Sequence, residues 1–136
     1  MFSPLEPADI ERLEAQRLVA REAARVVCDF EPSVIDLRTI QAIVDARLFA
    51  PHQTYELQCL GVALGDALAF DGRFNWVIVT DEFGRDPTLR WKATSLNVNA
   101  LTMISKRVEA GDEVPLSDLW DWAFEYGAKA DEREGN

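Results

Sequence analysis

Apolar residues recur at helical spacing in five stretches of this chain, and between the third and fourth the spacing shortens to that of strands. From about Ala8 to Cys28, Ala15, Val19, Ala23 and Val26 fall on one face, and Leu13, Ala20, Ala24 and Val27 widen it. Glu14, Arg21, Glu22 and Arg25 lie opposite, where ordinary ion pairs on a helix surface explain them. Ser3-Pro4-Leu5-Glu6 predicts a capping box at the entrance. Pro32, within Asp29–Ser33, predicts the stop. A second helix starts at Asp36, a good N-cap. It carries Leu37, Ile40, Ile43, Val44 and Leu48 at the same period until Ala50-Pro51-His52 breaks it. A third runs from about Gln53 to Phe70, with Leu57, Leu60, Leu64, Ala67 and Leu68 inward. Gly61 and Gly65 lie one turn apart on it and predict close packing against a neighbour; Asp71-Gly72 ends it.

Phe74 to Thr80 then reads as a strand, with β-branched Val77, Ile78 and Val79 between aromatic flanks. Asp81 to Asp86 reads as a turn with Gly84 at positive φ. Thr88 to Ser95 reads as the return strand, Leu89, Trp91 and Ala93 facing the core and Thr88, Arg90, Lys92 and Thr94 facing water. Leu96–Val98 offers a short third strand or a connection. A fourth helix is expected from about Val98 to Ala110, closed by Gly111. A fifth, capped by Ser117, carries Leu119, Trp122, Ala123 and Tyr126 on its main apolar face, with Trp120 and Phe124 widening it. Two strands alone are marginal in water, so the hairpin must pack on helices or gain strands. The expected fold is α+β: three N-terminal helices, a β-hairpin or small antiparallel sheet, and two C-terminal helices. Residues 1–128 form one globular domain in this reading, and 129–136 a frayed acidic tail.

Composition supports a folded chain. Its 136 residues are 48% hydrophobic and include four Trp, enough for a core without staples. No apolar run approaches the roughly 20 residues that span a bilayer. The first residues carry Glu6, Asp9 and Glu11 instead of a basic segment followed by an apolar one, which speaks against a signal peptide. Cys28 and Cys59 sit in apolar helical contexts and read as buried, reduced thiols. Together these features point to the cytoplasm. The net charge of −10 argues against nucleic acid, whose binding rests on neutralising phosphates. The charge is uneven: residues 74–108 hold five basic and three acidic side chains, residues 109–136 two basic and nine acidic.

Few residues suggest chemistry. His52 is the single histidine and follows Pro51 at a helix entrance, a capping or surface position. There is no HExxH pattern, no cysteine cluster, no nucleophile elbow and no phosphate-binding glycine loop. The expectation is therefore no catalytic residue, no metal and no cofactor. Asp81, Glu82 and Asp86 crowd the turn. Their simplest role is to bond the turn's own amides and Arg85; their spacing does not make a calcium loop. Asp66, Asp81 and Asp86 would support acid–base chemistry only if they converged in a pocket. Arg85, Arg90 and Lys92 are the candidate contacts for an anion or an acidic partner, against the plainer reading of ion pairs within the protein. Trp76, Trp91, Trp120 and Trp122 read as core, but an exposed Trp120 or Trp122 would be an interface anchor.

The segments LGVALGDAL (60–68), NWVIVTDEFGRDPTLR (75–90) and NALTMISKRVEAGDEV (99–114) together resemble the bacterial domain-of-unknown-function family 3806. That family's pattern is a glycine-rich helix end, a Trp-bearing strand, an acidic turn with glycine, and a helix ending in Lys-Arg. The resemblance covers the central and C-terminal part of the chain and leaves the first, second and fifth helices outside it. It implies no activity and transfers no catalytic residue.

The functional expectation is a non-enzymatic, acidic, cytoplasmic protein-binding module of the immunity-protein type, with Arg85, Arg90, Lys92, Asp81, Glu82 and Asp86 as candidate binding residues. Its partner would be a protein, with neither nucleic acid nor membrane involved. The alternative is a small-ligand or anion-binding domain that uses the basic face of the hairpin.

Overall fold

The computed structural model describes residues 1–29 and 35–135. In chain order these form β1 (Phe2–Ser3), α1 (Pro7–Cys28), α2 (Leu37–Asp45), α3 (Thr54–Leu68), β2 (Phe74–Asp81), β3 (Gly84–Trp91), β4 (Asn97–Val98), α4 (Ala100–Glu109) and α5 (Leu116–Glu134). The strands make one antiparallel sheet in the order β1-β2-β3-β4. The fold is thus α+β, three helices preceding the hairpin and two following it. The Pro32 stop predicted after α1 lies outside the described residues. Within them, α1 ends at Cys28 because Asp29 turns left-handed, φ 59°, and returns its N–H to Arg25 O at 3.0 Å.

α1 does not begin with a box at Ser3, because Ser3 pairs with Ile78 in β1. The cap lies at Glu6, whose N–H donates to Asp9 Oδ2 at 2.8 Å. Pro7 follows at the first helical position, where its missing N–H costs nothing. The buried face is also rotated from the expected one: Leu13, Gln16, Ala20, Ala23 and Ala24 are inside, whereas Val26 is 54% exposed. Alanines lie on two overlapping stripes, and the stripe carrying the large Leu13 wins the core. α2 starts as predicted but ends at Asp45, short of Ala50, where Arg47 turns left-handed at φ 53° and Leu48 is left exposed. Asp36 Oδ1 accepts the Thr39 N–H at 2.9 Å, and Ile40 and Ile43 are buried.

α3 is the central helix, packed against α1, α2 and α4. Its glycines do what their spacing predicts. A Cβ on Gly61 would lie 2.6 Å from the carbonyl oxygens of Ala100 and Leu101, so α4 rests on bare α3 backbone. A Cβ on Gly65 would lie 2.3 Å from the Trp76 ring. Leu57, Leu60, Leu64 and Leu68 complete the core with Phe74, Leu89, Trp91, Ile104 and Leu116.

The hairpin seals onto α5 at its open end. Trp91 meets Phe74 edge-on with ring centres 4.9 Å apart and Phe124 at 5.8 Å, while Gly127 leaves the room its ring fills. This contact corrects the expectation of a frayed tail. α5 continues to Glu134: Ala130 is fully buried, Asp131 accepts from Trp91 Nε1 and Lys92 Nζ at 2.8 Å each, and Glu134 accepts from Ser95. Polar anchors spaced along a helix read as a solvated tail because the sequence does not show their partners. The start of α5 also differs. Pro115, not Ser117, precedes the helix, and the Leu116 N–H donates to Gln41 Oε1 at 3.0 Å. Its apolar face is narrower than expected: Trp122 and Tyr126 are exposed, and Trp120 and Phe124 pack on the core instead. Among the described residues no helix is long and apolar enough to cross a membrane, and both cysteines are free thiols.

Candidate functional site: the tip of the hairpin

The predicted six-residue turn is in fact a two-residue one. Asp81 pairs with Gly84, Thr80 with Arg85 and Val79 with Asp86, so only Glu82 and Phe83 lie between the strands. The return strand is accordingly Gly84–Trp91 and not Thr88–Ser95. Arg-Asp-Pro has little strand propensity, and the ladder overrides it. Gly84 takes φ +123°, which only glycine adopts readily, and Asp81 Oδ1 accepts the Phe83 N–H at 2.8 Å. Asp81 thus bonds its own turn as expected. This tight turn projects Phe83 outward, 85% exposed. Asp81, Glu82 and Asp86 lie within three residues of it along the chain, all exposed.

Arg85 does not neutralise these acids. Its Nη1 and Nη2 each bond one oxygen of Asp9 at 2.7 Å, and Glu6 Oε2 lies 3.4 Å from Nη2. Asp9 is buried, only 5% exposed. The Arg85 bond, with help from the Glu6 N–H, holds the Asp9 carboxyl down at about 2. The same bond pushes the Arg85 guanidinium up. The tip is therefore fixed to the first turn of α1 by a bidentate pair spanning 76 residues of sequence.

The other two basic candidates lie elsewhere. Arg90 is five residues from Arg85 on β3, an odd spacing that places them on opposite faces. Its Nε and Nη2 donate to the carbonyls of Thr94 (2.7 Å) and Ala93 (3.0 Å), and its guanidinium lies 4.5 Å over the Phe2 ring. Lys92 follows β3 in a left-handed conformation, φ 48°, which breaks the alternation that grouped it with Arg90. It turns to Asp131, whose carboxyl it holds below the usual range together with Trp91. Arg85, Arg90 and Lys92 thus serve three separate internal contacts, while Asp81, Glu82 and Asp86 remain together at the tip. Asp66, the remaining acid considered, accepts from Arg17 Nε and Nη2 and from Trp76 Nε1. Trp76 lies five strand residues from Asp81, roughly 16 Å along β2.

Phe83 was missed by the reading of the sequence. Its signal was an aromatic residue placed among turn formers, where no core can claim it. Other chemical candidates are weaker. Burial pushes the Cys59 thiol up to about 11, away from thiolate character at neutral pH. A cleft of about 850 Å³ opens between the loops that follow α2 and α4. The amide of Gln41 in it is occupied in holding the second loop, through Val114 O at 3.1 Å and the Leu116 N–H. Among the described residues no cluster of His, Cys, Asp and Glu could hold a metal ion.

Residues 36–120 match the family model described as Domain of unknown function (DUF3806). The match spans more than half of the chain, and the chain belongs to this family. It is wider than the resemblance read from the sequence, taking in α2 and the start of α5, and it contains the hairpin tip but not Glu6 or Asp9. No curated protein matches. A solved structure from Bacteroides thetaiotaomicron VPI-5482 has the same fold, with a TM-score of 0.82 at 13% identity over 93% of this chain and 47% of that one. The chain thus spans about half the length of the solved protein it matches.

Proposed function

We propose that this member of the DUF3806 family is a non-enzymatic, cytoplasmic protein-binding module whose contact point is the hairpin tip. One observation carries the reading: Phe83 stands 85% exposed next to Asp81, Glu82 and Asp86 on a turn bonded by Asp81 and tied to α1 through Arg85. Burying a phenylalanine side chain is worth about 1.5–3 kcal/mol, and here that gain is withheld from the fold and kept available to a partner. The acidic collar selects a basic surface around an apolar pocket and speeds encounter with it. The two clamps, Asp81 on the turn and Asp9 on Arg85, restrict the tip before binding and reduce the ordering cost. A compact acidic domain of this kind suits an inhibitor of the immunity-protein type, which blocks a basic partner by occupying its cleft. The alternative, anion capture by Arg85, Arg90 and Lys92, would first have to break the internal bonds of all three.

The test compares wild type with Phe83→Ser and with a Glu82→Lys/Asp86→Lys double variant as affinity baits in lysate of the source cell. A partner of the expected kind is retained by wild type at low salt, falls away as salt rises, and is lost with both variants. The purified pair then binds about tenfold or more weakly when Phe83 is replaced. If wild type and both variants retain the same proteins, the tip is not the contact.

A further inference from the structure

A second surface feature lies away from the hairpin tip. A pocket of about 460 Å³ opens between α1, the start of α2, α3 and Trp120 of α5, a size typical of small-ligand sites. Its walls include Leu37, Ala67, Phe70 and Trp120. Phe70 is 85% exposed although it borders this apolar hollow. The acids at the pocket are already engaged. Asp66 takes three bonds from Arg17 and Trp76, and Asp36 Oδ1 takes the N–H and hydroxyl of Thr39. Arg17 is committed as well, since its remaining nitrogen donates to Glu14 at 2.7 Å. Arg21 is different. It lines the pocket, and among the described residues it makes no hydrogen bond or ion pair.

We infer that this pocket binds a small planar aromatic molecule bearing one carboxylate, its ring against Trp120 and Phe70 and its carboxylate on Arg21. The aromatic walls favour a flat π-system, which pairs edge-on or offset with them. A guanidinium with no partner among the described residues offers the fork that a carboxylate fits with two parallel bonds. The other polar side chains that line it, Arg17, Asp36 and Asp66, are satisfied within the protein, so the ligand needs a single charged group.

The probe is 2-naphthoate, titrated into the full chain by calorimetry and mapped by amide and indole NMR shifts, with neutral 2-naphthamide as the comparison. The expected result is saturable sub-millimolar binding of the acid, about tenfold weaker binding of the amide, and shifts centred on the Trp120 indole N–H and the Ala67 amide. Arg21→Gln, an exposed position that leaves the core intact, brings the acid down to the level of the amide. Ala67→Phe, which fills the hollow, abolishes both; if it does not fold, the Arg21→Gln comparison decides alone. Absence of saturable binding, equal affinity for acid and amide in wild type, an unchanged Arg21→Gln variant, or shifts centred elsewhere would each overturn the inference.

Discussion

The two ends of the hairpin are built on opposite principles. At the open end, Phe74 and Trp91 are cross-strand partners, their rings meet, and α5 closes over them with Phe124 and Gly127. Even the charges there are internal: Arg73 lies 4.5 Å over the Phe124 ring, and Lys92 and Trp91 share Asp131. At the closed end the largest apolar side chain faces water, and among the described residues no cationic side chain is bonded to Asp81, Glu82 or Asp86 beside it in the chain. The same two strands carry both arrangements about 24 Å apart, seven residues along β2. A fold that can bury Phe74 and Trp91 and pack Phe124 against them at one end does not leave Phe83 outside for lack of capacity. The open end makes the hairpin stable, and that stability lets the closed end be shaped for contact.

This contrast can be broken by substitution, and the effects should fall in a definite order. The largest belongs to Trp91→Ala, which empties the aromatic cluster and removes a donor to Asp131. It should cost about 3–5 kcal/mol in chemical denaturation. A loss similar to that of a surface residue would mean that the open end does not hold the sheet. Next comes Gly127→Ala, whose Cβ would stand 2.4 Å from the Trp91 ring. About 1–3 kcal/mol of destabilisation is expected from overpacking, together with a change in near-UV circular dichroism as the ring moves.

The Asp9–Arg85 clamp is read through acid. Asp9 titrates near 2 in the folded protein against 3.8 when unperturbed. Its contribution is therefore complete above about pH 4 and disappears as pH falls through 2. Asp9→Asn should flatten that limb of the stability–pH curve and leave its neutral side level. An acid limb identical to wild type would remove the clamp from the account of the tip. The smallest effect on stability is expected from Phe83→Ser, within about 0.5 kcal/mol, although it should have the largest effect on binding. A marked fall in melting temperature would instead show that Phe83 supports the fold.

Local features were legible in the sequence and remote pairings were not. The Asp36 cap, the Gly61–Gly65 approach, the hairpin and the strand alternative for Leu96–Val98 all follow from neighbours a few residues away. What went unseen joins distant parts: Arg85 with Asp9, Arg17 with Asp66 across 49 residues, and Trp91 with Asp131 across 40. Each pairing turned a residue that looked available into a committed one. That is why Arg85 and Lys92 serve ion pairs within the protein, the plainer of their two readings, and the acidic tail is helix. α1 failed for a related reason, because alanine stripes look alike until the large side chains of α3 choose between them.

The outer strands β1 and β4 have one further consequence. Each is two residues long, and β4 pairs with β3 only at Leu89 and Arg90. Among the described residues the segment of β3 from Gly84 to Pro87 therefore has no strand on its outer side, and its exposed part, Gly84 to Asp86, is an edge that could template association with another chain. Pro87 removes one donor from that edge, and Asp86 beside it adds a charge. These two residues, the least strand-like of the hairpin, keep an exposed aromatic tip from becoming the seed of an aggregate. Replacing both with valine should leave the fold intact at low concentration and raise the apparent mass in sedimentation as concentration rises, more steeply than for wild type.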